Sequence, residues 1–109
     1  MSYGKVSWSD TRSGCLASVE LQRAGDIGLK LGHMWGGCTS SDKKATVALY
    51  RNDQLLALDR NLYPSSLRID AAVGGSYSHA PGYYRACGNI SNAAGTITSG
   101  ACTANIWLR

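Results

Sequence analysis

Phenylalanine is absent from the 109-residue sequence, and proline occurs only twice. Charged residues are also scarce, at 17% of the chain against about 25% in an average globular protein. Because 44% of the residues are hydrophobic, this scarcity does not indicate a disordered chain. Six tyrosines and three tryptophans must supply the aromatic part of the core, and thirteen glycines indicate many tight turns.

Long apolar runs are missing too. No segment approaches the ~18 consecutive apolar residues of a membrane-spanning helix, so we do not expect a transmembrane protein. The sequence shows no signal peptide and starts directly with polar residues. Four cysteines nevertheless favour a secreted, extracellular protein whose leader has been removed; the alternative is a cytosolic chain with another use for its cysteines. The length predicts a single domain, residues 1–109.

The charge balance is basic. A formal net charge of +4 favours an anionic partner, such as a cell-surface polymer or an acidic protein. Ordinary small domains carry a charge of similar size, so solubility alone also accounts for it. Lys43-Lys44 is the one adjacent basic pair in the sequence, and no motif for single-stranded nucleic acid occurs. We therefore expect no nucleic acid partner.

The four cysteines allow three disulfide pairings, and the sequence alone does not decide strictly between them. A zinc site would need short pairs such as C-x₂-C, and none is present. His33 and His79 are isolated from any such pair. We therefore expect no metal and no cofactor. Spacing favours two hairpin disulfides, Cys15–Cys38 and Cys87–Cys102.

The segment from Cys87 to Cys102 predicts a β-hairpin. Its midpoint falls at Ala94-Gly95, and both flanks are rich in the β-branched and aromatic residues that favour strands. Symmetrical pairing places the two cysteines opposite each other, within reach of a disulfide. The same register places Tyr83 opposite Ile106.

The segment from Cys15 to Cys38 predicts a second hairpin with one irregularity. Strict pairing does not align the apolar residues of its two strands, because Leu29 and Leu31 alternate out of step with the apolar residues of the first strand. A bulge at Gly36-Gly37 would restore the alternation before the second cysteine. We therefore predict a bulge at this position.

The remaining segments alternate in the same way. A lead strand is expected near Lys5–Ser9, a hairpin with its tip at Asn52-Asp53, and a strand in SLRIDAAV with Ile69 and Val73 on one face. Turn signals recur every ~8–12 residues, which is typical of a β-sandwich. The sequence therefore predicts an all-β fold of about seven antiparallel strands.

The stretch APGYYRAC resembles the corner that leads into the penultimate strand of immunoglobulin-like domains, where a tyrosine lies near the start of the strand. The resemblance implies an immunoglobulin-like, or fibronectin type III-like, β-sandwich and assigns no functional residues. Trp35, at the end of an apolar alternation, is then expected to fill the core.

Catalytic residues are sparse. A nucleophile activated by histidine requires a nearby Ser, Cys or Thr and a carboxylate that orients the imidazole. His33 is expected on a strand face with Leu31 and Trp35, as a partly buried imidazole with its hydrogen bonds satisfied, and His79 in a solvated loop. No two carboxylates lie close enough in sequence to indicate acid–base chemistry. We therefore expect no enzyme activity.

Two predicted loops, HMWGGCTSSDKK and GGSYSHAPGYY, carry residues suited to binding. Aromatic and cationic side chains dominate the energetics of interfaces, and loops held on a rigid scaffold commonly present them. The candidate binding residues are Trp35, Lys43, Lys44, Tyr77, His79 and Tyr83. Core packing is the alternative role for the aromatic members.

Together these features predict a small secreted, disulfide-stabilised binding protein, such as an inhibitor or an extracellular interaction module. The first alternative is a secreted basic antimicrobial or toxin-like protein that acts on a cell envelope, with binding that weakens steeply with salt. The second is a small hydrolase that uses His33 or His79. The expected partner is another protein or an anionic cell-surface polymer, and the sequence does not indicate an oligomeric state.

Overall fold

Strands make up most of the chain. The computed structural model describes residues 2–12, 14–24, 28–40, 43–61, 67–92 and 94–109. The strands are β1 (Ser2–Asp10), β2 (Cys15–Ala24), β3 (Leu29–Cys38), β4 (Lys44–Arg51), β5 (Gln54–Asn61), β6 (Arg68–Val73), β7 (Gly82–Ser91), β8 (Ile97–Cys102) and β9 (Ile106–Leu108). A one-turn 3₁₀ helix, Ser76–His79, precedes β7.

The strands form two sheets. The first sheet has the order β1-β2-β3-β6, and the second has the order β5-β4-β7-β8, with β9 also pairing with β7. Every pairing is antiparallel. The side chains between the sheets form one apolar core that draws on both. The predicted antiparallel β-sandwich is confirmed.

The strand order is that of an immunoglobulin-like domain. Strands β2, β3 and β6 take the places of strands A, B and E, and β4, β7 and β8 take those of C, F and G. Strand β5 pairs with β4, in the C′ position, and this arrangement is fibronectin type III-like. Strand β1 is an addition at the outer edge of the first sheet.

Both predicted disulfides are present. Cys15 and Cys38 are directly opposed in β2 and β3, and Cys87 and Cys102 are directly opposed in β7 and β8. The Cα–Cα distance is 4.0 Å in each pair. Each bond therefore clips a hairpin, and such a bond typically contributes about 2–4 kcal/mol to stability.

The β2–β3 register differs from the prediction. The two strands pair without interruption along their whole length, so the bulge predicted at Gly36-Gly37 was wrong. The prediction assumed that the leucines of β3 face the core. Instead, the alternate residues Lys30, Gly32 and Met34 are buried, which makes strict pairing compatible with an apolar core.

Glycine at position 32 lets β3 approach the second sheet closely. A Cβ at Gly32 would lie 3.3 Å from the Cβ of Ala86 and 3.4 Å from Cγ2 of Val47. Because Lys30, Gly32 and Met34 face the core, the alternate residue Trp35 lies on the outer face of the sheet, where it stacks on His33. The predicted core role of Trp35 was therefore wrong.

Trp8 is the tryptophan that packs against the core instead. It lies on the edge strand β1, and its indole Nε1 donates a hydrogen bond to the Ser99 hydroxyl on β8 at 3.0 Å. This bond joins the edge of one sheet to the edge of the other. Trp8 therefore closes the side of the sandwich where β1 and β8 meet.

The C-terminal strand is interrupted after Cys102. Thr103 exchanges two hydrogen bonds with Ala86: its N–H donates to the Ala86 carbonyl at 2.9 Å, and its hydroxyl accepts from the Ala86 N–H at 3.0 Å. The extra residue shifts the following register by one, so Tyr83 pairs with Trp107. The predicted pairing of Tyr83 with Ile106 was wrong for this reason.

A buried tyrosine organises the turn before β7. The Tyr84 side chain is fully buried, and its hydroxyl donates to the Ala80 carbonyl, as expected of the tyrosine in the corner of an immunoglobulin-like domain. The ammonium group of Lys30 lies 5.3 Å from the centre of the Tyr84 ring and donates to the His79 carbonyl at 3.1 Å. Burial lowers the pKa of Lys30.

Tyr84→Phe should destabilise the protein by about 1 kcal/mol, because it removes one buried hydrogen bond and leaves the packing of the ring unchanged. Tyr83→Phe is the matched control, since Tyr83 is exposed on the opposite side of the same strand. Urea unfolding of both variants measures the difference. Equal stability of Y84F and Y83F would contradict a structural role for the Tyr84 hydroxyl.

Candidate functional site

Among the described residues, no group of three or more His, Cys, Asp or Glu side chains is placed to hold a metal ion. Within the same residues, no helix is long and apolar enough to cross a bilayer. The candidate binding surfaces lie on the outer faces of the two sheets.

A cleft of about 300 Å³ lies on the outer face of the first sheet. Three neighbouring strands supply its lining, because residues paired across antiparallel strands point to the same side of the sheet. We call this surface the His33 face; its residues are Glu20, Gln22, His33, Trp35, Arg68 and Asp70.

His33 is the centre of this face. Its Nε2 lies 3.0 Å from Oδ1 of Asp70, and its ring stacks on Trp35 with the ring centres 5.0 Å apart and the planes at 26°. The imidazole side chain is 29% exposed and the Asp70 side chain is 61% exposed. The stack and the hydrogen bond together hold three side chains from two strands in one arrangement.

Glu20 lies beside His33 on the neighbouring strand β2. Its carboxylate accepts hydrogen bonds from the Ser2 hydroxyl, at 2.7 Å, and from the Gln22 amide. Burial by itself raises the pKa of Glu20, but these hydrogen bonds and the charges of His33 and Lys5 outweigh it. The net effect is a lowered pKa, so the carboxylate is ionised at neutral pH.

The outer face of the second sheet has an aromatic end. Tyr83 on β7 and Trp107 on β9 make an edge-to-face contact with their ring centres 5.1 Å apart, and they are 52% and 54% exposed. The Arg85 guanidinium lies 4.3 Å from the centre of the Tyr50 ring. Leu55, paired with Tyr50, is also exposed. We call these five residues the aromatic face.

Arg85 is fixed by a second contact. Its guanidinium pairs with the carboxylate of Asp53 at the β4–β5 turn. Asn52 and Asp53 both have positive φ, of 50° and 65°, as a two-residue hairpin turn requires. The predicted turn is confirmed, and it positions the carboxylate that orients Arg85.

The other end of the same outer face is basic. A groove of about 340 Å³ is lined by two cations, Lys44 and Arg60, together with an apolar side chain and polar neutral groups. None of its described lining residues is acidic. The remaining lining residues are Thr46, Leu58, Asn89, Ser91 and Gly95. The groove therefore suits an anionic group better than a cationic one.

The structure separates the residues of the first predicted loop. Trp35 lies on β3 in the first sheet, whereas Lys44 begins β4 in the second sheet, directly after Lys43. Lys44 lines the basic groove. The sequence interval is short, but the chain crosses between the sheets within it, so the expected grouping of Trp35 with the two lysines does not occur.

The second predicted loop is also divided. His79 is exposed at the end of the 3₁₀ helix, where its carbonyl accepts from Lys30. Tyr83 belongs to the aromatic face, and the Tyr77 side chain lies outside the described part of the chain. Trp107 was not predicted as a binding residue, although the alternation of the last residues of the sequence indicated a strand there.

Comparison with known proteins gives a structural likeness alone. No family model matches the chain, and no curated protein matches it. The solved structure of chicken MD-1 complexed with lipid IVa superposes with a TM-score of 0.37 and 9% sequence identity, and the match covers 94% of this chain and 97% of that one. At this low level of superposition, the likeness does not bear on the ligand or the site of this chain.

Glu20→Gln should destabilise the protein at neutral pH, because the substitution removes the ionised carboxylate and its favourable contacts. A carboxyl whose pKa is lowered on folding adds stability above its unfolded-state value, about 4.5 for Glu20, and that stability is lost as pH falls through the folded-state pKa. The stability difference between wild type and E20Q should therefore shrink on acidification. Urea unfolding across this range measures it, and a pH-independent difference would contradict the assignment.

Proposed function

We propose that this protein is a secreted binding module that docks a protein partner on the aromatic face. The observation that carries the proposal is the exposed Tyr83–Trp107 pair beside the Arg85–Tyr50 stack. Tryptophan, tyrosine and arginine are the residue types that most often dominate the binding energy of protein interfaces. On this face they adjoin one another, together with an exposed leucine.

Preorganisation supports this role. The aromatic side chains stand on paired strands, and Arg85 is held between the Tyr50 ring and the Asp53 carboxylate. Side chains that are already ordered lose less entropy on binding. Burying large, half-exposed rings against a partner also removes apolar surface from water, at roughly 25 cal/mol per Å².

Charge indicates the character of the partner. Lys44 and Arg60 lie on the same outer face, and the chain carries a net charge of +4. A partner with an apolar centre and an acidic rim would complement this surface and would associate faster at low salt.

The basic groove also supports the second candidate function, which is binding to an anionic polymer of a cell envelope.

Secretion and the lack of catalysis are part of the same proposal. The two disulfides together use all four cysteines, and such bonds persist in oxidising, extracellular environments. Among the described residues, His33 is hydrogen-bonded to the Asp70 carboxylate and stacked on Trp35, rather than hydrogen-bonded to a Ser, Thr or Cys side chain that could serve as a nucleophile. We therefore propose a binding module rather than the hydrolase considered from the sequence.

Site-specific photo-crosslinking tests the docking face. Benzoylphenylalanine is placed at Tyr83, and in a control protein at Leu16, which is also a large exposed hydrophobic residue (68% against 52%) but lies on the first sheet. Illumination in medium from the source organism, or with its target cells, should yield a partner adduct from the Tyr83 position alone. Mass spectrometry identifies the adduct.

Binding of the identified partner is then measured with Trp107→Ala. Loss of an interface hot spot costs about 2 kcal/mol, so the dissociation constant should rise about 30-fold. Gln54→Ala, on the exposed start of β5, should leave it unchanged. Crosslinking from Leu16 alone, or full affinity in the W107A variant, would contradict docking on the aromatic face.

A further inference from the structure

We propose that the His33 face is a binding site for a neutral saccharide, separate from the protein-docking surface on the opposite sheet. The proposal rests on the side chains of the cleft, and it does not depend on the proposed protein partner. The cleft has a volume of about 300 Å³ and is lined by an aromatic stack, two carboxylates, an amide and a guanidinium.

The aromatic stack provides the apolar half of a sugar site. One face of a pyranose ring consists of C–H bonds and packs on the flat surface of an aromatic ring. His33 covers one side of the Trp35 indole. The next residue on the outer face of β3 is Gly37, so no side chain of that strand lies beyond the indole. The residues paired with Gly37 are Leu16 on β2 and Arg68 on β6, so a sugar ring against Trp35 would lie between these two side chains.

The polar residues provide the other half. Sugar hydroxyls both donate and accept hydrogen bonds, so a sugar site needs acceptors and donors at its rim. Asp70 and Glu20 supply carboxylate acceptors, and the Arg68 guanidinium supplies donors. Asp70 on β6 is paired with Trp35, whereas Glu20 on β2 is paired with His33, so the two carboxylates lie on opposite sides of the stacked rings.

The carboxylates are oriented before any ligand arrives. Asp70 is hydrogen-bonded to His33 at 3.0 Å, and Glu20 accepts hydrogen bonds from Ser2 and Gln22. A carboxylate has about four lone-pair sites on its two oxygens, so one that already accepts hydrogen bonds can also accept from a sugar hydroxyl. Groups that are already positioned lose little freedom on binding, which strengthens weak hydrogen-bonded complexes.

Charge and shape favour a neutral sugar over other ligands. The two carboxylates of the lining lie among the Arg68 guanidinium, the His33 imidazole and the neighbouring Lys5, so the face offers no concentrated positive charge to phosphate, sulfate or nucleic acid. An anionic ligand would find the basic groove of the second sheet more favourable. The cleft is shallow and open to solvent, so a ligand of one or two sugar rings would lie along the sheet surface rather than inside an enclosed pocket.

Tryptophan resonances provide a direct test. The chain has three tryptophans, and each gives one indole N–H signal in a ¹⁵N-correlated NMR spectrum. The probes are neutral hexasaccharides of glucose, N-acetylglucosamine, mannose and galactose, each titrated separately. We expect at least one probe to shift the Trp35 signal, while the signals of Trp8 and Trp107 stay in place as internal controls.

Two variants test which side chains of the His33 face contribute to saccharide binding. Trp35→Ala should weaken binding of the active probe at least tenfold. Asp70→Asn, at a largely exposed position that does not enter the core, should weaken it several-fold and keeps the test valid if the tryptophan variant fails to fold. Gln54→Ala, on the second sheet, should have no effect.

Two results would overturn the proposal. The first is the absence of a Trp35 shift with all four probes at millimolar concentration. The second is binding of a sulfated hexasaccharide alone, unchanged in W35A and lost in Arg60→Ala, because the ligand would then occupy the basic groove. Either result leaves the crosslinking experiment on the aromatic face unaffected, so the two proposals fail independently.

Discussion

Two cross-strand disulfides hold the hairpins on which the rest of the structure depends. Cys15–Cys38 pairs β2 with β3, and Cys87–Cys102 pairs β7 with β8. Because side chains alternate between the faces of a sheet, a slip of one residue would exchange every inward side chain with an outward one. With the observed pairing, Met34 enters the core. His33 and its stacked tryptophan stay outside, where a ligand can reach them.

The same alternation produces two outer surfaces of different chemistry. The first sheet presents carboxylates around His33 and Trp35, and the second presents the exposed Tyr83–Trp107 pair followed by cations. Both are built mainly on strands, whose positions are better defined than those of loops. The core between them relies on Trp8 at the open edge and on Tyr84 near the start of β7 in place of phenylalanine.

Local features of the sequence predicted much of the fold. Symmetrical cysteine spacing indicated both hairpins, and Asn52-Asp53 indicated a tight turn, because each is a short-range constraint. The side of the sheet on which Trp35 lies was not predictable, because leucines occupy one face of β3 and a buried lysine occupies the other. His33 and Trp35 were predicted to share a strand face, but the carboxylates beside them were not predicted, because they come from β2 and β6, which only the folded sheet brings next to β3.

Oxidative footprinting tests the inward and outward assignment of β3 most directly. Met34 has 0% exposure, so hydroxyl radicals should leave it unmodified in the native protein, while Trp35, on the other side of the strand, and the exposed Trp107 are oxidised. Quantitative mass spectrometry of the peptides reads each site separately. Rapid oxidation of Met34 together with protection of Trp35 would show the opposite register and would contradict the account.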